Sequence, residues 1–209
     1  MLRRRSRCRH VDHHAWNERY STKEQSWSAE PNQFFRAAVE ELTPGHALDL
    51  GTGEGRNAIW LAERGWAVTA VDFSDVAIEK ARTLAESKAV AVTWIVQDLL
   101  SYRPEVGAFD LVGLVYIHLA PEQRRHVLTM AAGGLAPGGR LVVVGHDTSN
   151  FTAGFGGPQD LSLLFTPDDI VADLHDLQVV RAERVIRRVE SPDGQRDAID
   201  ALVVAARPT

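Results

Sequence analysis

Apolar residues along this chain fall into two rhythms. Phe34, Phe35, Ala38, Val39 and Leu42 recur at helical spacing and predict a helix over 30–42, with Pro31 in its first turn and Thr43-Pro44-Gly45 as its stop. Ala47 to Leu50 form a compact apolar run of strand length. A glycine-rich turn follows, then a helix from about Arg56 to Arg64 closed by Gly65. The alternation then repeats. Strands are expected at Ala67–Val71, Val92–Val96, Phe109–Tyr116 and Arg140–Val144. Helices are expected from the Ser74 cap to Ser87, from Pro121 to Leu135, and after the Thr166 cap with Pro167 behind it.

Strands alternating with helices predict an α/β fold with a doubly wound, mostly parallel sheet, both faces covered. The end of the chain breaks the rhythm. Val179–Val189 and Ala198–Ala205 read as two strands joined by Ser191-Pro192-Asp193-Gly194, an antiparallel C-terminal hairpin on one sheet edge. With it the sheet has seven strands.

At 209 residues the chain suits one domain: residues 16–44 as an N-terminal lid and helix, 45–209 as the α/β core. Residues 1–15 read as a basic disordered tail. The five arginines Arg3, Arg4, Arg5, Arg7 and Arg9 are followed by His10, Asp12, His13 and His14 rather than an apolar stretch, which excludes a signal peptide. Against a chain total of −5, the rest carries −10, a poor match for nucleic acid. A single cysteine, Cys8, excludes a disulfide framework or a thiolate zinc site and fits a reducing cytoplasm. No apolar run reaches membrane-spanning length. We expect no metal, no membrane and no nucleic acid, and a monomer or homodimer.

The chemistry concentrates in Asp49-Leu50-Gly51-Thr52-Gly53-Glu54-Gly55, between a strand and a helix. Ligands of open parallel sheets bind beyond the carboxyl ends of the strands. Asp72, 21 positions after Gly51, closes the next strand, where a carboxylate can accept both ribose hydroxyls. The third glycine comes one residue early for a dinucleotide, with Arg56 in its place, and Asp49 and Glu54 would repel a pyrophosphate. Such acids suit a nucleoside with a cationic end and no phosphate, as in S-adenosylmethionine. Gln97-Asp98-Leu99 ends the third strand, placing Asp98 to accept from an adenine amino group and Leu99 to contact the ring.

These segments resemble the class I S-adenosylmethionine-dependent methyltransferases over residues 16–206. Leu48 to Asn57 looks like that family's first motif and Val71-Asp72-Phe73-Ser74 its ribose-binding second. Phe109-Asp110-Leu111-Val112 and Leu135-Ala136-Pro137-Gly138-Gly139 look like later landmarks. Within the family the chain is most similar to small bacterial tellurite-resistance methyltransferases, through Gly55-Arg56-Asn57, Leu61 to Gly65 and Asp147-Thr148.

The resemblance implies a Rossmann-like methyltransferase fold and in-line methyl transfer to a small-molecule acceptor: oxygen, sulfur, nitrogen or a chalcogen oxyanion. The cofactor residues implied are Trp27, Asp49, Gly51, Thr52, Gly53, Gly55, Arg56, Asn57, Asp72, Phe73, Ser74, Gln97, Asp98, Leu99 and Val115. His118, Tyr116 and His146 are expected as catalytic groups, with His118 a candidate base. Trp16, Tyr20 and Asp147 are expected on the substrate side. Two other classes stay open, an NAD-type oxidoreductase and a non-catalytic cofactor-binding module. Arg124 and Arg125 read either as a solvated pair or as substrate contacts.

Overall fold

The computed structural model describes residues 13–21, 30–191 and 194–209. A helix α1 (His13–Ser21) precedes α2 (Gln33–Val39). The alternating core then runs β1 (His46–Leu50), α3 (Arg56–Ala62), β2 (Ala67–Asp72), α4 (Asp75–Ser87), β3 (Val92–Val96), β4 (Phe109–Val115), α5 (Pro121–Gly134) and β5 (Leu135–His146). A short α6 (Asn150–Ala153), a 3-10 turn (Leu161–Leu163) and α7 (Pro167–Asp173) lead to the hairpin of β6 (Gln178–Ser191) and β7 (Gly194–Ala206).

The strand order is β3-β2-β1-β4-β5-β7-β6. The first five strands are parallel, while β7 runs antiparallel between β5 and β6. The seven-stranded α/β sheet with its antiparallel hairpin is as the sequence predicts. The order reverses between β1 and β4, which opens a crevice at their carboxyl ends.

Alternation within the strands builds two cores. Leu48, Leu50, Leu114, Leu141 and Val143 face α5 and α7. Ala47, Leu111, Val142, Val144 and Leu202 face α2 and α3, against Phe35 and Leu61. Packing around the glycines differs in tightness. A Cβ on Gly145 would stand 2.3 Å from the buried Phe165 ring, whereas one on Gly133, late in α5, meets nothing within 4 Å.

Several boundaries differ from expectation. α2 starts at Gln33, because the Asn32 side chain accepts hydrogen bonds from the Phe34 and Phe35 amides, both at 3.0 Å, and caps it; Pro31 therefore lies before the cap, outside the helix. α1 begins inside the stretch read as tail, and Trp16 and Tyr20 belong to that helix. β5 begins at Leu135, earlier than expected, since Leu135 already pairs with Phe109 before the ladder shifts register. The arginine run, Cys8 and His10, Trp27, and the Pro192-Asp193 turn lie outside the described residues.

Arg124 is buried and, like Arg125, meets Asp173 at 3.1 Å, bracing α5 on α7 rather than reaching for a ligand. Among the described residues no helix is long and apolar enough to cross a membrane, and no cluster of three metal-ligating side chains occurs.

Gly145→Ala is expected to lower stability by about 1–3 kcal/mol through overpacking against Phe165. Gly133→Ala should raise it by up to about 1 kcal/mol, since a helical glycine gives up more backbone freedom than alanine. Urea midpoints of the two variants, moving in opposite directions from the parent, check both.

Candidate functional site

The β1–α3 turn must reverse the chain within a few residues. Gly51, Gly53 and Gly55 all adopt left-handed backbone, at φ +70°, +55° and +80°. The Gly51 and Thr52 amides donate to the Val71 carbonyl at 2.8 and 3.0 Å, which pins the turn to β2. Gly55 serves packing: a Cβ there would come within 2.7 Å of the Trp94 ring and 2.9 Å of Ala81. The missing Cβ allows this close seating of α3 on α4 and β3. Asn57 likewise turns to structure, its Oδ1 accepting from the Asn32 amide at 3.0 Å.

Asp72 closes β2 beside this turn and is buried. Its Oδ2 accepts from the Gly53 amide at 2.8 Å and its Oδ1 from the Ser74 amide at 2.9 Å. Those two bonds hold the carboxylate rigidly at the strand tip. Phe73 follows, half-buried, and Ser74 caps α4 by accepting from Ala77. Just past the neighbouring β3, the Gln97 backbone N–H donates to the Asp72 backbone carbonyl at 2.9 Å. Asp98 is exposed just beyond, its Oδ1 accepting from Leu100. Leu99 is buried, 3.8 Å from where a Gly51 Cβ would stand.

Asp49 sits in β1 on the α2 and α3 side, fully enclosed. Its Oδ2 accepts from the Thr52 hydroxyl at 2.6 Å. Burial, only partly offset by Thr52 and the charge of Arg56, pushes its carboxyl up to about 6; nearby Asp72 adds to the rise. Arg56 is itself half-buried with its guanidinium 5.9 Å from the Tyr116 ring centre, and burial holds its pKa below the ordinary arginine range. Glu54 departs from expectation. It is buried but lies 3.3 Å from Lys80, so its charge is compensated and it carries no weight against a phosphate.

The α1 helix lies over this crevice. Asn17 accepts from the Ser74 hydroxyl at 2.5 Å and donates to Asp75 at 2.8 Å, while Lys80 donates to the Tyr20 carbonyl at 2.5 Å. The Tyr20 hydroxyl would stand 3.0 Å from a Cβ on Gly53, and Trp16 packs 5.7 Å from the Tyr20 ring. On the other side Ile117 lies directly over Gly51. The cradle is thus lined by backbone where side chains would collide, by acids at three neighbouring strand ends, and by an aromatic cover. Those features fit a flat, positively charged nucleoside.

Beyond β4 the structure revises the expected catalytic groups. Val115 is buried at the strand end. Tyr116, in left-handed backbone at φ 59°, donates its hydroxyl to Asp200 at 2.7 Å and accepts from Asn32 at 3.2 Å. Burial, reinforced by the Asp200 charge, pushes its pKa well above the usual tyrosine range, so it is a brace and no proton acceptor. His118 accepts the His146 backbone N–H at Nε2, 3.1 Å away, and burial takes its pKa down to about 3. With that lone pair engaged, His118 does not suit the base role expected for it.

His146, at the end of β5, has its ring between β7 and the 154–160 loop. Asp147 is wholly buried and tied to Ser149 and to Arg184 at 3.0 Å, which places it in the wall. Sequence reasoning missed Asn32, Arg187 and Asp200. Asp200 carried a signal, an acid within the apolar run Ala198–Ala205, but its partners come from three separate elements.

Residues 47–139 match the family model described as a methyltransferase domain. The chain is 36% identical over 114 residues to a demethylmenaquinone methyltransferase of Thermus thermophilus, covering 52% of each. It spans about half the length of the curated relatives it matches. Two solved structures share the fold. One is the N-methyltransferase NodS of Bradyrhizobium japonicum with S-adenosyl-L-homocysteine (TM-score 0.70, 20% identity, 94% of this chain and 99% of that one). The other is TehB of Haemophilus influenzae (TM-score 0.69, 19% identity, 91% and 67%). Residues 47–139 are thus similar to a methyltransferase domain, and the sheet that carries them has the fold of these solved structures.

Proposed function

We propose that this chain transfers a methyl group from S-adenosylmethionine to a small-molecule acceptor. The observation that carries the reading is Asp49, a buried carboxylate short of positive charge, next to the rigidly held Asp72 in a glycine-lined crevice. A ligand with a ribose and a cationic end satisfies both acids at once. Asp72 takes the ribose hydroxyls, Asp98 and Leu99 the adenine, and Arg56 the amino-acid carboxylate, with Asp49 nearest the positive end. When bound, the cofactor supplies a methyl group already activated on a sulfonium, leaving S-adenosylhomocysteine. The protein's part is to hold the acceptor in line and exclude water. α1, with Trp16 and Tyr20, serves as the cover.

The same reading takes the acceptor as small and excludes nucleic acid from the acidic body. The single cysteine supports a reducing cytoplasm, and we infer a monomer or homodimer.

Asp72→Ala should weaken S-adenosylmethionine binding by about 1–3 kcal/mol, roughly 5- to 150-fold, the cost of lost charged hydrogen bonds. Titration calorimetry reads this directly; unchanged affinity, or binding of NAD in place of S-adenosylmethionine by the parent, would overturn the assignment.

Asp49→Asn gives a second, pH-dependent check. The folded pKa near 6 exceeds the ordinary 3.8, so the folded protein holds the extra proton between those values and loses stability as pH rises through them. The cost is complete above pH 6. The variant should therefore be more stable than the parent at pH 8, by about 3 kcal/mol at most, and gain nothing near pH 4. Its affinity for the cationic cofactor should fall. Paired urea melts at the two pH values, with calorimetry at pH 8, measure both effects.

A further inference from the structure

His146 and Asp200 face each other in register across the antiparallel β5–β7 ladder. Opposed residues of such a pair bring their Cβ atoms to about 5 Å on one face of the sheet. His146 Nδ1 lies 3.0 Å from Asp200 Oδ1. Both atoms are shut off from solvent, and among the described residues neither makes an aligned hydrogen bond, so they face each other as a close charge contact. Asp200 is wholly buried, and its Oδ2 accepts from Tyr116 at 2.7 Å and Arg187 at 3.0 Å. Burial pushes its carboxyl up, but His146, Arg187 and Tyr116 together hold it below the ordinary range, so it is a carboxylate.

That environment selects the tautomer. A lone pair on Nδ1 would be repelled by a carboxylate oxygen 3.0 Å away, so the ring proton belongs on Nδ1 and the free lone pair on Nε2. Nε2 accepts no hydrogen bond among the described residues and, unlike Nδ1, is not a closed-off atom. His118 stacks on the ring at 5.2 Å and 11°. Gly157, at φ +83°, backs the ring, where a Cβ would come within 2.6 Å of it. The imidazole is therefore fixed in position with one basic nitrogen open. Since β5 follows β4 and β1 in the sheet, His146 lies about two strand spacings, on the order of 10 Å, from the Gly51 turn. That is the acceptor's side of the crevice.

Resting on the methyl-transfer reading, we propose that His146 is the general base, that Asp200 is its positioning residue, and that the acceptor is a hydroxyl on an aromatic ring. A chalcogen oxyanion needs no base, and a thiol, with a pKa of about 8.5, is partly ionised without one. A phenolic hydroxyl near pKa 10 must lose its proton, and an imidazole can take it during attack. The acceptor oxygen forms the new C–O bond while the electron pair of the C–S bond stays with sulfur. The hydroxyl proton passes to Nε2, and the imidazolium, facing the Asp200 carboxylate, releases it to water. The products are a methyl ether, a neutral thioether and one proton.

Nitrogen-15 NMR of histidine-labelled full-length protein without cofactor reads the tautomer directly. The parent should show Nδ1 protonated at His146, and Asp200→Asn should shift the proton toward Nε2, because the amide NH₂ can donate to Nδ1. Rates with 2-naphthol and 2-naphthalenethiol then separate base catalysis from positioning. His146→Gln and Asp200→Asn should lower kcat on the naphthol by roughly 10²- to 10⁴-fold and on the thiol by less than about tenfold, with the KM for S-adenosylmethionine unchanged. An Nε2-protonated parent, or equal losses on both acceptors, would overturn the inference while leaving methyl transfer standing. Failure of the parent to bind S-adenosylmethionine would instead overturn the earlier reading, whatever the tautomer.

Discussion

A carboxyl group removed from water must find positive charge, collect hydrogen bonds, or keep its proton. Asp49 is held in this tension. The Thr52 hydroxyl gives it one short bond, and Arg56 contributes only at a distance, so its carboxyl remains raised to about 6. Asp72 instead collects two backbone amides, from Gly53 and Ser74. The crevice therefore combines one rigid acceptor of hydrogen bonds with one acid that gains from a cation. Most of the surrounding architecture serves that pair. Three left-handed glycines keep side chains out of the turn, and α1 closes over it through Asn17 and Tyr20.

The hairpin adds a second electrostatic unit at the far side of the crevice. Were β7 parallel and at the edge, its polar residues would have no fixed partner in β5. Inserted antiparallel between β5 and β6, it puts Asp200 opposite His146 and Arg187 within reach of the same carboxylate. Asp200 then ties three elements together. Tyr116 comes from the end of β4 and in turn receives the cap residue of α2, Asn32. A buried charge with several donors is costly to break at any one point. The network thus makes the orientation of His146 depend on the whole carboxyl end of the sheet.

How much of this was legible in the sequence follows from how local each feature is. The strand–helix alternation, the glycine turn and the acids closing β2 and β3 are written within short windows, and their places along the chain follow from period and spacing. The N-cap at Asn32 was equally local: a polar residue with side-chain oxygen directly before an apolar helical run. It was missed because the neighbouring proline offered a competing start. The two histidines are a different case. His118 and His146 look alike in sequence, each at the end of an apolar strand. What separates them is that His118 receives a backbone N–H and His146 faces a carboxylate, and both facts depend on register between strands far apart in the chain.

The two units also constrain each other. Asp49 favours positive charge near β1, while the Asp200 carboxylate is already matched by Arg187 and by the proton on its histidine. A cationic ligand is therefore drawn toward Asp49 rather than to the hairpin side. Across the crevice, Arg56 and Arg187 both approach the Tyr116 ring, at 5.9 and 5.3 Å, and place positive charge beyond β4. The polarity of the crevice thus runs from acid to base along the sheet, the direction in which a methyl cation equivalent would have to travel.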